Sequence, residues 1–381
     1  MHTTRHTASS RLVRLAQFFA GLAVSAAACA QLPPPSIKPD SGLWHSGAGF
    51  HFDLGKKKLQ KTRQSLSGMA CNLDAKQQRI CLMVFDEGSE ARYAYVGQQA
   101  LRIDEEPVVL RAGKDELDAE AAATDGRYFY VAGSHSAKRG DCASNPASRH
   151  VLRFKLDPAT GRALRSPAGS AQGTLVDYAD SGRLWSLMQA QPELAPHVGE
   201  RKCLGSEAPP KAPTLAGQQG VNIEGLAVRD GQLYFGFRGP VLNGVAKVLA
   251  VDADALFGSE TAPLPKATVS SLALGQRRGI RDMVAVKTGF LLLAGPDDSS
   301  ASQSVGWTVS WWDGKAGAGG GVVQPQLLAA LDLSDVKLRQ CDKELKPEAI
   351  TVLEETPAAY KLLVLSDGMC DGGPLSFTLA R

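Results

Sequence analysis

Four acidic residues, Glu120, Glu224, Asp282 and Glu348, stand at equivalent places in a pattern that the chain repeats. Carboxylates drawn from four distant segments to one point, and left unpaired there, repel one another and raise their own pKa values. A hard cation such as Ca²⁺, held by carboxylate and carbonyl oxygens, relieves that repulsion. The same residue type has a plainer use in a repeat protein, where an acid satisfies backbone N–H groups of the next repeat or pairs with an arginine. Arg238 and Arg281 lie in the same pattern. A planar guanidinium clamps a phosphate or carboxylate, and it neutralises a neighbour such as Glu224 or Asp282 equally well.

The elements that must position these residues are strands. Five segments share one layout, opening at Ser67-Gly68-Met69-Ala70, Asp118-Ala119-Glu120-Ala121, Asn222-Ile223-Glu224-Gly225, Arg281-Asp282-Met283-Val284 and Pro347-Glu348-Ala349-Ile350. A turn follows each, then a second strand that is apolar almost throughout: ICLMVFD from Ile80, RYFYVAGS from Arg127, QLYFGFRG from Gln232, GFLLLAGP from Gly289 and KLLVLSDG from Lys361. Short apolar runs bounded by turn residues are expected of strands buried on both faces. Third strands alternate instead. In 306–313 (GWTVSWWD), Trp307, Val309 and Trp311 share one face and Thr308, Ser310 and Trp312 the other, the pattern of a half-buried strand.

A meander of three or four strands repeated about an axis is a propeller blade. The expected fold is all-β, a single β-propeller of five or six blades over residues 47–381; a two-sheet sandwich leaves the fivefold punctuation without a cause. The wide gap after the second repeat contains 180–196 (DSGRLWSLMQAQPELAP), where Leu184, Leu187 and Met188 have helical spacing behind an Asp180 or Ser181 cap. It reads as a short helical insertion at about 175–200, with a degenerate sixth blade around 161–215 as the alternative. Closure of the ring requires a partner for the last edge. The predicted pair is 49–54 (GFHFDL) with 375–379 (LSFTL), in one blade.

In a propeller the first strands line the central channel, and the turns after the second strands surround its mouth. Those turns are Asp86-Glu87, Ser134-His135, Arg238-Gly239-Pro240, Pro296-Asp297 and Ser366-Asp367. The candidate funnel residues are therefore Asp86, His135, Asn222, Glu224, Arg238, Arg281 and Asp367; the candidate metal ligands are Glu120, Glu224, Asp282 and Glu348. His135, between two serines, suits a general base and equally a solvated loop position. The sequence contains no G-x-S-x-G elbow, P-loop or H-E-x-x-H, and no G-x-G-x-x-G after a strand. The run 314–321 (GKAGAGGG) lacks the Lys-Ser/Thr ending of a phosphate loop and reads as an interstrand loop, and 297–304 (DDSSASQS) reads as an exposed polar loop.

The chain has 381 residues, with 42 Lys+Arg against 39 Asp+Glu; at 21% charged and 44% hydrophobic its composition is that of a globular protein. A net charge of +3 spread over this length offers nucleic acid no basic footprint. Arg5, Arg11 and Arg14 precede or enter an apolar start, with 15–27 apolar and Ala28-Cys29-Ala30 ahead of Gln31. Residues 1–30 read as a secretory signal peptide. A membrane span and a lipoprotein acylated at Cys29 are the alternatives. Cleavage removes three arginines, no acid and one of seven cysteines, leaving 39 charges of each sign and an even cysteine count. The mature chain is expected to be exported, periplasmic or secreted, monomeric and without a transmembrane span. Three disulfides are expected there. Connectivity is open, and nearest-in-sequence pairing joins Cys71 to Cys81, Cys142 to Cys203 and Cys341 to Cys370. No C-x-x-C and no His pair with ligand spacing supports a metal instead. Proline-rich residues 31–46 read as a stiff spacer.

The segment 222–244 (NIEGLAVRDGQLYFGFRGPVLNG), with Gly220-Val221 before it, resembles the signature of the bacterial domain of unknown function 3616 family; Gly279-Ile280-Arg281-Asp282 and 129–136 fit the same family. The resemblance covers most of the mature chain. It implies a β-propeller-like fold in an exported bacterial protein and supplies no activity. The repeated Glu-Gly strands also resemble, in punctuation alone, calcium-dependent propeller hydrolases such as phytase-like and lactonase-like proteins. Two uses of the funnel follow. One is binding of a small molecule or protein partner without catalysis; the other is Ca²⁺-dependent hydrolysis of a phosphoester or lactone, with Arg238 or Arg281 orienting an anionic group. Carboxylates free to meet at one point favour the metal, and carboxylates already paired with backbone or arginine disfavour it.

Overall fold

A computed structural model of the protein describes residues 35–46, 57–113, 115–167, 173–302 and 304–381. The signal-peptide reading of 1–30 and the strand expected at 49–54 lie outside these residues. The described chain folds as a ring of five mainly antiparallel sheets. Blade 1 contains Leu66–Leu73, Arg79–Phe85, Glu90–Gly97 and Ala100–Val109. Blade 2 contains Ala119–Thr124, Tyr128–Gly133 and Val151–Asp157, with Ala179–Ser181 on its outer edge. Blade 3 contains Asn222–Arg229, Gln232–Gly239, Val245–Asp252 and Ala267–Ala273. Arg278–Val286, Gly289–Pro296, Thr308–Trp312 and Gln326–Leu331 form blade 4, and Lys346–Glu355, Ala359–Asp367 and Leu375–Ala380 form blade 5. The first strands touch in cyclic order, blade 5 against blade 1, so the ring closes at five. The stretch weighed as a sixth blade holds blade 2's edge strand, short strand pairs and the helix Arg183–Gln189. Among the described residues no helix is long and apolar enough to cross a membrane.

The second strands are the walls of the core. Every residue of Tyr128–Gly133 and of Gly289–Pro296 is buried. Phe129, Phe154, Phe235, Phe237, Phe290 and Phe377 are fully enclosed between blades, each contributing about 1.5–3 kcal/mol of apolar burial. The third strand of blade 4 is more buried than its alternation predicts, with Trp312 at 1% exposure, because its indole packs against Phe290 and Tyr234 in the core between blades 3 and 4. The helix Arg183–Gln189 buries Leu184, Leu187 and Met188 in the core shared by blades 2 and 3. The Arg183 guanidinium ties it to blade 3 by donating to the carbonyls of Ala255, Ala262 and Pro263.

Each first strand has a bulge at one equivalent place. In blade 1, Leu66 faces Phe85 and Gly68 faces Val84, so Ser67 is the extra residue. By the same register Glu120, Glu224, Arg281 and Glu348 are the extra residues of blades 2 to 5. A bulge re-aims the unpaired side chain. The equivalence drawn from sequence therefore shifts by one in blade 4, where Arg281 and not Asp282 matches the glutamates. The next position is small in the other blades (Gly68, Ala121, Gly225, Ala349), because first strands pack closely there: a Cβ on Gly68 would lie 2.8 Å from the Ala121 Cα.

Residues 35–46, expected as a spacer, are an outer strap of the propeller. Ser36–Ile37 pair in parallel with Ala330 and Leu331 of blade 4. Asp40 N–H donates to Ser376 O (2.8 Å) and Trp44 N–H to Pro374 O (3.0 Å), covering the free edge of three-stranded blade 5. His45 then bridges to Ala100 of blade 1, and its carbonyl accepts from Leu101 N–H (2.7 Å). Two of the three expected disulfides are present: Cys71–Cys81 across the first two strands of blade 1, and Cys142–Cys203 between the loop of blade 2 and the insertion. The third is not formed. Cys341 and Cys370 are free thiols, the Cys370 Sγ–H turned onto the Cys341 carbonyl (3.1 Å) instead of joined to its sulfur.

Candidate functional site

The bulges and the turns after the second strands meet at one end of the channel, around a cavity of 880 Å³. Glu120, Glu224, Arg281 and Glu348 line it from the bulges; Asp86, Arg238, Pro296 and Asp367 line it from the turns. Its two sides differ in charge.

On the side of blades 3 to 5 every charge has a partner. Arg281, 2% exposed, places Nε 2.9 Å from Glu224 Oε2 and Nη2 against Glu348, and donates from Nη1 to Pro296 O (3.3 Å). Arg238 donates from Nη1 to Glu224 Oε1 (2.8 Å), and its Nε lies 3.3 Å from Asp298 Oδ1. Asn222 Nδ2 donates to both Glu224 and Asp298 at 3.2 Å. Burial disfavours the charge of Arg238, but Glu224 and Asp298 outweigh it and raise the guanidinium's pKa. Arg281 is pushed down to about 10 by burial and by Arg238. Burial works against the Asp298 carboxylate too, yet Arg238 and Arg139 hold its pKa below the ordinary value. Arg139 reaches Asp298 (2.9 Å) from the loop that Cys142–Cys203 anchors, and Ser206 N–H donates to Ser299 Oγ (3.3 Å) nearby. The insertion thus roofs this side of the mouth.

On the side of blades 1 and 2, Asp86, Asp118 and Glu120 make no ion pair among the described residues, although Lys61, Lys138 and Arg139 also line the cavity. Glu120 makes no hydrogen bond or ion pair among the described residues, and burial together with Glu224, Asp118 and Asp86 raises its pKa well above the usual range. Asp86 is pushed up to about 8 by burial and by Asp367 and Asp118. Asp118 is raised mainly by burial, although Ser134 Oγ–H and Asn145 Nδ2 (3.5 Å) donate to it. Asp367 is raised by burial despite Lys346 at 3.5 Å. Asn222 and Trp307 also line the cavity, and the Asn222 Oδ1 and the Trp307 indole N–H are buried with no hydrogen-bond partner among the described residues.

Several expectations change in this light. Asp282 does not face the cavity: its carboxylate accepts from Met283 N–H (2.7 Å), from Ile350 N–H of blade 5 (2.8 Å) and from Leu226 N–H of blade 3. It fastens three blades together. The four candidate metal ligands are thus not gathered at one point, since Asp282 holds backbone while Glu224 and Glu348 hold Arg281. Among the described residues the one group of three ligand-type side chains with donor atoms within 4.8 Å is Cys341 and Asp342, on the connection from blade 4 to blade 5, with Cys370, on the turn after Asp367. His135 is not at the mouth either. It is fully buried, Nδ1 lies 2.9 Å from Gly133 O, and burial pushes its pKa down to about 4. The loop 297–304 is more than a polar surface: Asp297 is buried and accepts from Ser299 N–H (2.8 Å), and Asp298 belongs to the arginine network. Asp298, Arg139 and Trp307 were not among the expected site residues: Asp298 stands one place beyond the turn Pro296-Asp297, Trp307 reads as part of a third strand, and Arg139 lies in a loop without repeat punctuation. Asp118 was visible as the opener of the second repeat.

No curated protein matches the chain. Among solved structures it is similar to the calcium-binding protein regucalcin from Agrobacterium tumefaciens strain C58 (12% identity, covering 91% of this chain and 95% of that one, TM-score 0.36). It is also similar to a GH43 endo-arabinanase from Bacillus licheniformis (10%, 83% and 94%, TM-score 0.36) and a GH43 β-1,3-galactosidase (8%, 83% and 90%, TM-score 0.42). Likeness at this level carries nothing about activity. The family model described as protein of unknown function (DUF3616) matches residues 67–156 and 180–371, and with the five-bladed fold and the NIEGL strand of blade 3 on the page, the chain belongs to that family.

Proposed function

We propose that the protein is an exported binding propeller whose funnel receives a small ligand bearing an ammonium or guanidinium group, seated at the blade 1 and blade 2 side. One observation carries this reading: at equivalent bulges, Glu224 and Glu348 share the Arg281 guanidinium, whereas Glu120 makes no ion pair among the described residues and feels Arg281 only at a distance. A ligand cation beside Glu120 does for blades 1 and 2 what Arg281 does for blades 3 to 5. It replaces a costly enclosed carboxyl with charge-assisted hydrogen bonds, and Asp86 and Asp118 lie on the same wall. The cavity suits a small organic molecule in size. The two disulfides support export, since such bonds persist outside the reducing cytoplasm. Ca²⁺ is the second reading, favoured by the hard carboxylate oxygens of Asp86, Asp118 and Glu120 on one wall.

Calorimetric titration with arginine, 1,4-diaminobutane, glucosamine and CaCl₂ at pH 6 and pH 8.5 tests the proposal. Binding of at least one organic cation is expected, weakened about tenfold or more by Glu120→Gln. Binding of Ca²⁺ alone would move the assignment to the second reading. Indifference to all four probes would remove both.

A further inference from the structure

We propose that Cys341 and Cys370 form a dithiol–disulfide exchange site, open to a small external disulfide, that makes and breaks a covalent link between the blade 4 to blade 5 connection and the turn after Asp367. This does not depend on what the funnel binds. Both thiols are free, and their sulfurs lie within 4.8 Å of each other. They differ in access: Cys341 is half-buried and Cys370 is buried. An attacking thiol must be reachable, and a resolving thiol need only be near.

The surrounding structure holds the two arms together without a bond between them. Asp342 Oδ1 accepts from Cys370 N–H (2.8 Å), and Arg339 clamps the Asp342 carboxylate through Nε and Nη2 (2.9 Å each) while also donating to Cys370 O. Gln64 donates to Cys341 O, and its own carbonyl accepts from Gly368 N–H (2.8 Å). The reduced pair is therefore held in place for closure, and reopening leaves both loops fastened. A soft metal ion suits the cluster poorly, because Asp342 is already engaged by Arg339, and Arg63, paired with Asp371 next to Cys370, brings a second guanidinium.

The exchange balances as two displacements. The Cys341 thiolate attacks one sulfur of an external disulfide RSSR, forming a mixed disulfide and releasing RS⁻. The Cys370 thiolate then attacks the Cys341 sulfur, closing the internal bond and releasing the second RS⁻, and the two protein protons end on the two released thiols. Burial and the neighbouring Cys341 push the Cys370 thiol up to about 12, consistent with its acting second.

The test is alkylation and peptide mapping of the folded protein after equilibration in glutathione buffers, from reduced to oxidised. Expected in reduced buffer are two alkylated cysteines, 341 and 370, with the other two bridges intact; in oxidised buffer, a linked 341–370 peptide. Cys370→Ser should stop at a glutathione adduct on Cys341, and Cys341→Ser should stay unmodified. Persistence of both free thiols in excess oxidised glutathione overturns the proposal. So does a wild-type adduct that never closes, a 341–370 bond reducible only on unfolding, or stoichiometric retained zinc that blocks exchange.

Discussion

The two halves of the funnel rim are built on the same bulge, yet they treat charge in opposite ways. Blades 3, 4 and 5 supply Glu224, Glu348 and Asp298 together with Arg238 and Arg281, so each of these acids has a guanidinium against it. Blades 1 and 2 supply Ser67 and Glu120, with Asp86 and Asp118 close by, and among the described residues none of these three acids is in an ion pair. A repeated backbone device thus fixes where a side chain points without fixing its charge. The paired half holds the ring; the acidic half is the one to which the proposed ligand cation is assigned.

The comparison is broken most severely at Arg281. Arg281→Ala leaves Glu224 and Glu348 enclosed without their shared guanidinium and should cost about 3–5 kcal/mol in urea unfolding at pH 7, whereas Glu120→Gln on the other half should cost nothing or stabilise. Comparable losses for the two variants would erase the distinction. Asp282→Ala comes next, at about 1–3 kcal/mol, since it strands backbone N–H groups of three blades; an unchanged urea midpoint would count against the inter-blade role.

The halves should also respond to pH with opposite sign. Asp86, raised to about 8, keeps in the folded state a proton that the unfolded chain releases near pH 4. Its contribution therefore declines as pH rises from about 4 to 8, and Asp86→Asn should flatten that decline in a pH series of melting temperatures. Asp298 is lowered, so its contribution is present above the ordinary carboxylate pKa and is lost as pH falls toward its folded value. Asp298→Asn should flatten the acid limb instead. Matching slopes in the two variants would contradict the assignment. The smallest effect is expected at Arg139→Ala, under about 1 kcal/mol, because its exposed arm adds little to an Asp298 already held by Arg238.

Much of this architecture is legible in the sequence because strands and turns leave local marks. The five apolar second strands were each identifiable from composition, and the turns that follow them do bring Asp86, Arg238 and Asp367 to one cavity. A bulge leaves no such mark. Whether Arg281 or Asp282 turns inward depends on a single inserted residue in the pairing register, and both are charged, so the sequence offers no means of choosing. His135 misled for a related reason: a histidine between two serines reads as polar loop, while its left-handed backbone (φ 55°) folds the ring inward. The free pair Cys341 and Cys370 shows that an even cysteine count sets how many bridges are available, not how many are closed.

The strap at residues 35–46 has a consequence for the order in which the molecule is assembled. Asp40 and Trp44 bond to Ser376 and Pro374, groups that leave the ribosome after every other blade has been made. The contact is among the most distant in sequence that the chain can form, and such contacts are slow to reward their ordering cost. The strap's contacts therefore become available in turn: His45 with blade 1 first, Ser36–Ile37 with blade 4 later, and Asp40 and Trp44 with the last strand at the end. A chain halted before blade 5 would lack the strand that the strap covers, so Asp40 and Trp44 take up their places only once both ends of the chain are present.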